Sequence, residues 1–288
     1  MTATLRSLVS EELGQPVDSR VTAMAAAIAA KYGDASRAVL FYGSCLREEQ
    51  LDGLMLDFYL IVSDYDAAYG RGWLARANAL IPPNVFPFHH DALASKYAVL
   101  SEADFHRLNG PETRNVSVWA RFAQPSRLVW ARDDAARTRA IDAVTRAAPT
   151  LLGAAMPLAA GGDELAPWRQ AFALTYSAEL RAERKGRSIS IVDTDPDRYR
   201  RFLAPALAVV TTGGSRASWR RRRIEGKLLS VVRLAKASAT YAGGAEYIAW
   251  KINRHAGTTI ELKPWQRRHP LLAAISLLPR LLRSGAIR

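Results

Sequence analysis

VLFYGSCLREEQLDGLMLDFYLIV, residues 39–62, sets two apolar runs around a glycine–serine break. Residues 38–42 are short and apolar, as a buried strand would be. Gly43-Ser44 ends that run. Residues 54–62 read as a second strand with one acid, Asp57, embedded in it. Strand alternation puts Asp57, Tyr59 and Ile61 on one face. A Gly-Ser turn after a strand lets the chain enter a short helix with nothing blocking its first amides, and free N–H groups there bind phosphate oxygens. An acid on the neighbouring strand can hold Mg²⁺ against the same phosphates. A carboxylate in an apolar strand is costly to bury unpaired, and a metal ion accounts for Asp57 better than a salt bridge does.

Outward from this pair the order is strands first, then helices that come to dominate. Helices are expected over residues 19–32, 65–80, 101–108, 116–122, 135–152, 164–184, 198–210 and 218–242, from helix-forming composition and from punctuation by Gly and Pro. Short strands are expected at 85–88, 96–100 and 127–130. Ser101 with Asp104 fits a capping box. The class is therefore α+β: a mixed sheet flanked by helices, then a mostly helical second domain. The expected units are 1–150, 151–262 and a basic amphipathic tail at 263–288. No internal repeat is present.

The 288 residues carry 40 Lys and Arg against 27 Asp and Glu, net +13. The excess is one-sided: residues 1–180 hold 17 basic and 20 acidic side chains, net −3, and residues 181–288 hold 23 and 7, net +16. The second part is suited to an anionic surface, either nucleic acid or acidic lipid. A hydrophobic share of 49% excludes general disorder, and the single cysteine, Cys45, excludes a disulfide framework or a multi-cysteine zinc site. No apolar run reaches the ~20 residues of a spanning helix, and MTATLRSLVSEELGQ has no apolar signal core. A cytoplasmic protein, peripheral on the inner face of the membrane, is the expectation.

The Gly-Ser turn and strand acid resemble nucleotidyltransferases of the polymerase-β type, although Tyr59 stands where the usual Asp-x-Asp pair has its second acid. A narrower resemblance is to the mitochondrial-type CTP:phosphatidate cytidylyltransferases, the peripheral CDP-diacylglycerol synthases. YGSCLREEQLDGLMLDFYLIVSD (42–64) resembles that family's YGSG followed by MLDF or MIDF. KYAVLS (96–101) is similar to its KYGVIS, SVWARFAQPSRLV (117–129) to its YIAGRLxKPVKI, and TYSAELR (175–181) to its LSYxGDFR. These blocks keep their order over about residues 38–185. Cys45 stands for a glycine, and Glu179 for an aspartate. The resemblance implies a nucleotidyltransferase-type sheet and Mg²⁺-dependent transfer of a cytidylyl group from CTP to phosphatidic acid. It also implies Asp57 and Glu179 as catalytic metal-binding carboxylates, with Gly43, Ser44, Lys96 and Arg181 on the nucleotide.

From the residues alone, Glu179 reads equally as a solvated helix acid pairing Arg181 or Arg184. Asp52 reads as a turn acid, Cys45 as a packing residue, and His89 and His90 as loop histidines with no third zinc ligand. In the tail, Trp265, Arg267 and Arg268 precede a leucine-rich run that ends in Arg280 and Arg283. Aromatic, basic and apolar residues together suit a helix lying in an anionic membrane surface and make nucleic acid a poor partner; a helix packed on the core is the other reading. Two alternatives stay open: a nucleotidyltransferase with another acceptor, and a catalytically silent relative that binds lipid or nucleic acid.

Overall fold

The computed structural model describes residues 3–48, 50–158, 161–179, 191–211, 213–240 and 263–264. Its centre is a five-stranded mixed sheet in the order β3-β4-β2-β1-β5. Strand β1 (Ser36–Tyr42) runs antiparallel to β2 (Met55–Val62) on one side and to β5 (Ser126–Ala131) on the other. On the far side of β2 lies β4 (Leu93–Ser101), parallel to it, with β3 (Asn84–His90) as the antiparallel edge. His89 and His90, read from sequence as loop residues, are the end of β3, whose pairing with β4 extends to Leu93.

The crossover from β2 to the β3–β4 hairpin holds two helices, α3 (Tyr65–Tyr69) and α4 (Trp73–Leu80), where one was expected over 65–80. Gly70, at φ +69° and ψ 173°, ends α3. That backbone is open to glycine and strained for other residues.

Alternation along the strands divides the core between the two faces of the sheet. Val39, Phe41, Phe58, Leu60, Tyr97 and Val99 pack beneath α2 (Ser19–Ala30). Leu40, Tyr59, Ile61, Ala98 and Leu100 face a thicker helical layer. It comprises α1 (Leu5–Leu13), α5 (Glu102–Asn109), α6 (Trp119–Phe122), α7 (Asp134–Thr145), α8 (Ala147–Ala155), α9 (Ala166–Ala178) and α10 (Pro196–Leu207). Trp219 of α11 (Arg216–Thr240) belongs to the same cluster, and its indole N–H donates to the Ala154 carbonyl at 2.8 Å.

Local chemistry explains the remaining boundaries. Asp18 and Asp133 cap α2 and α7, accepting from the Arg20 and Ala136 amides. Ser101 caps α5 through the Asp104 amide at 3.1 Å, but Asp104 does not return the bond; its carboxylate accepts from the Tyr65 hydroxyl at 2.6 Å and pairs with Arg107. The helix expected over 135–152 divides into α7 and α8. Pro149 has no amide to carry the first ladder across, but it is tolerated in the opening turn of a new helix. The boundary expected after residue 150 therefore falls inside α8. Leu151, Phe172 and Phe202, beyond that boundary, share one hydrophobic cluster with Leu8, Leu40 and Phe105, before it.

The first and tenth helices are joined by a buried ion pair. The Arg198 guanidinium donates through Nε and Nη2 to both Glu12 carboxylate oxygens and through Nη1 to the Ala123 carbonyl at 3.1 Å, and it lies 4.4 Å from the Phe202 ring centre. Among the described residues no helix is long and apolar enough to cross a membrane.

Candidate active site between the sheet and the helical layer

Antiparallel register sets Asp57 opposite Tyr42, so Asp57 lies beside the turn that follows β1. Gly43 opens that turn at φ +97° and ψ −167°, a backbone reserved in practice for glycine. A Cβ on Gly43 would lie 3.4 Å from Asp57 Oδ2. The turn therefore passes directly over the carboxylate, and it is the backbone conformation, rather than a lack of room, that calls for glycine. Ser44–Arg47 is a single 3₁₀ turn, and Ser44, at its start, is exposed. Its first i→i+3 bond runs from the Leu46 amide to the Gly43 carbonyl, so the Ser44 and Cys45 amides precede the ladder.

Parallel register places Lys96 opposite Asp57 on the other side, and the two form an ion pair of 3.0 Å between Nζ and Oδ1. Strand pairing thus supplies Asp57 with a cation directly, beside any metal the carboxylate would hold. Oδ1 is nonetheless buried and accepts no well-aligned hydrogen bond, so its contact with Lys96 is one of charge. Lys96, expected on the nucleotide, is here Asp57's partner.

Glu179 departs further from its sequence reading. The helix expected over 164–184 gives way at Ala178, where α9 ends, and Glu179 follows in extended backbone. It is buried, and its Oε1 lies 3.6 Å from Arg121 Nη1, so it is not a solvated helix acid. Arg121, on α6, also donates to the Ser117 carbonyl. Burial pulls the Arg121 guanidinium down, but the influence of Glu179, Tyr59, Tyr42 and Asp57 outweighs it and holds the group firmly charged. Asp57 and Glu179 thus both act on one arginine. The phenols of Tyr42 and Tyr59, with ring centres 5.2 Å apart, are both pushed up by burial and stay neutral.

Two further cations reach the site from α11, which comes close to α9 because Gly226 sits against the Ala178 carbonyl, where a side chain would collide. Arg233 donates through Nε to the Pro82 carbonyl at 2.9 Å and through Nη1 to the Ser117 hydroxyl at 2.8 Å. Lys236 donates to the Ile81 carbonyl. Burial pulls the Arg233 guanidinium down, and Arg121 adds to this against Tyr59 and Glu179. Burial, then the Arg233 charge, pull the Lys236 amine down to about 8.

Arg121, Arg233 and Lys236 are absent from the sequence-derived set. The available signals were an arginine inside the apolar WARF block, and the i, i+3 spacing that puts Arg233 and Lys236 on one side of a helix. Arg181 lies outside the described residues, as do Trp265, Arg267, Arg268, Arg280 and Arg283.

Among the described residues no three His, Cys, Asp or Glu side chains converge as a metal cage. Mg²⁺ needs less, since it binds through one or two carboxylates with phosphate oxygens and water completing its shell. Asp57 and Glu179 are donors of that kind, and the buried Asp57 Oδ1 accepts no aligned hydrogen bond that a metal would have to displace. Cys45 is buried, and its thiol is pushed up by burial and by Asp57, so it is a packing residue rather than a thiolate nucleophile. No protein-family model matches the chain, and no curated protein matches it.

Proposed function

We propose that the chain is a nucleotidyltransferase of nucleotidyltransferase-type fold, in which the helices beyond residue 151 complete the site. The reaction is transfer of a cytidylyl group from CTP to phosphatidic acid. The observation that carries this reading is the passage of the Gly43–Ser44 turn over Asp57, with Lys96 opposite and Glu179 joined to the group through Arg121. The choice of CTP and phosphatidic acid follows from the sequence resemblance.

In this reading the Ser44 hydroxyl and the opening amides of the turn orient phosphate oxygens, and Lys96 and Arg121 offset the charge that builds on them. Asp57 and Glu179 would hold Mg²⁺, which supplies further neutralisation of the triphosphate when bound. The acceptor's phosphate oxygen forms a bond to the α-phosphorus in line as the bond to the β-phosphate breaks, and pyrophosphate leaves. That oxygen is already anionic, so no general base is required; positioning and charge neutralisation supply the rate. The neutral phenols of Tyr42 and Tyr59 wall the group off from water.

The protein would work at an anionic membrane surface. Ile224 and Leu228, 63% and 64% exposed, lie among Arg220, Arg221, Arg223 and Lys227 on α11, and the expected tail contacts at Trp265–Arg283 would add to them. A second reading, a silent relative that binds without turnover, is favoured by the pairing of each carboxylate with a cation, Asp57 with Lys96 and Glu179 with Arg121.

Pyrophosphate release separates these readings. The assay uses each of the four ribonucleoside triphosphates with Mg²⁺ and phosphatidic acid, in vesicles and in detergent, and then other phosphate-bearing acceptors. Turnover with CTP is expected to vanish in Asp57→Asn and to fall about 100-fold in Glu179→Gln. A folded wild-type protein that releases no pyrophosphate under any of these conditions supports the silent relative. Near-normal turnover by Asp57→Asn sinks the site assignment.

A further inference from the structure

The hydrogen bonds that Arg233 and Lys236 make do not call for charge. Their acceptors are the neutral Pro82 and Ile81 carbonyls and the Ser117 hydroxyl. A neutral amide side chain could cap the end of α4 in the same manner, without the cost of withdrawing a cation from water. Both side chains are nonetheless partly buried, one turn apart, and among the described residues neither has a carboxylate within ion-pair distance. Arg121 lies close enough to oppose Arg233, and Arg233 opposes Lys236.

Among the described residues, nearby negative charge does not balance this group: Glu179 faces Arg121 and Arg233, and Asp57 faces Lys96, so four described cations stand against two described carboxylates. Like charges crowded together and partly desolvated raise the energy of the empty site, and a bound anion removes that cost. Burial, and after it the Arg233 charge, lowers the Lys236 pKa, in keeping with a cation held out of water beside another.

We infer that Arg233 and Lys236, with Arg121 beside them, form a binding site for a phosphate group that carries two negative charges. The site is distinct from the Gly43–Ser44 turn and is presented by a different element, α11. A guanidinium and an ammonium group one helical turn apart, whose present hydrogen bonds run only to neutral acceptors, suit a terminal phosphate, whose several oxygens can accept from both in their place. The terminal phosphate of a nucleoside triphosphate and the phosphate monoester of a lipid headgroup both supply this chemistry. The inference rests on charge and burial, and it stands whether or not the chain transfers nucleotidyl groups.

The test is calorimetric titration of the full chain with inorganic pyrophosphate, with CTP, and with a short-chain, water-soluble phosphatidic acid, each without Mg²⁺. The comparison set is wild type, Lys236→Met, Arg233→Lys and Lys227→Met. Circular dichroism confirms that each variant is folded. Wild type is expected to bind pyrophosphate and at least one of the other two, Lys236→Met at least 10-fold more weakly. Lys227→Met, which removes an exposed charge from the same helix, is expected to bind inorganic pyrophosphate as wild type does. A loss confined to CTP assigns the pair to the nucleotide, and a loss confined to the lipid phosphate assigns it to the headgroup; either upholds the site.

Arg233→Lys keeps the charge but loses the planar fork, so it is expected to bind with intermediate strength. Should Lys236→Met and Arg233→Lys both bind like wild type, or Lys227→Met weaken binding equally, the inference is overturned. Asp57→Asn separates the two proposals: it is expected to abolish turnover, while Mg²⁺-free pyrophosphate binding persists in it and is still weakened by adding Lys236→Met.

Discussion

Gly43→Ala tests the turn over Asp57 more directly than any charge change. At φ +97° and ψ −167° an alanine sits where side-chain-bearing residues are strained by about 1–3 kcal/mol. A stiffer unfolded chain returns roughly 0.4–1 kcal/mol, which leaves a net loss of about 1–2 kcal/mol. The new methyl adds little steric cost, because its 3.4 Å distance from Asp57 Oδ2 is ordinary contact. Its effect is on access, since it covers one side of the carboxylate with an apolar group. Gly70→Ala is the control: its backbone, at φ +69° and ψ 173°, is of the same kind, but a Cβ there meets nothing within 4 Å. Urea unfolding is expected to show both variants destabilised by similar amounts, with midpoints lower by about 0.3–0.7 M for a slope near 3 kcal/mol/M. Pyrophosphate release, assayed where both are folded, is expected to fall in Gly43→Ala and to persist in Gly70→Ala. Equal activity in the two variants, or a Gly43→Ala protein as stable as wild type, would refute the reasoning.

Glu12→Ala strands the buried Arg198 guanidinium without its carboxylate and is expected to cost about 3–5 kcal/mol; a loss under 1 kcal/mol by urea unfolding counts against a buried pair. Lys236 predicts a pH dependence. Its amine loses a proton near pH 8 in the folded protein and near 10.5 when unfolded, so between these values the unfolded state holds more protons and stability rises with pH. Arg233 is the charged group that opposes it, and burial is the larger cause. Melting temperatures of wild type and Lys236→Met, followed from pH 7 to 10 without phosphate, should therefore converge or cross in wild type's favour; parallel curves contradict the lowered amine.

The pieces of the site that were legible in sequence are those governed by short-range rules. Period-2 alternation put Asp57, Tyr59 and Ile61 on one face, and two apolar runs flanking Gly43-Ser44 became β1 and β2 with boundaries within two residues. What was not legible depends on pairing between distant segments. Nothing in KYAVLS states that it will lie parallel to β2 in the register that sets Lys96 against Asp57. The Glu179 environment depends on where α9 stops and on an arginine 58 positions earlier in the chain, and helix composition over 164–184 gives no stop before the basic stretch. Sequence shows Arg233 and Lys236 only as basic residues mixed with apolar ones along a helix, and which side of that helix turns inward is decided by Trp219 and Gly226, a tertiary matter.

The ion pair between α1 and α10 also governs how the chain can be made. Glu12 and Arg198 are 186 residues apart. At roughly 5–20 residues per second, the ribosome delivers Arg198 about 10–40 s after Glu12. Late in that interval, once the sheet and α7 have been made, Leu5, Leu8, Val9 and Leu13 have partners to pack against but still lack the helix that completes their cover, and the Glu12 carboxylate keeps its water. The nascent amino terminus thus retains a charged, hydrated group on the face of α1 that will be buried, until late in synthesis. Desolvation of that carboxylate becomes favourable only when its guanidinium arrives, so closure of this corner is a late event in maturation, and a chain released before residue 198 has no means of completing it.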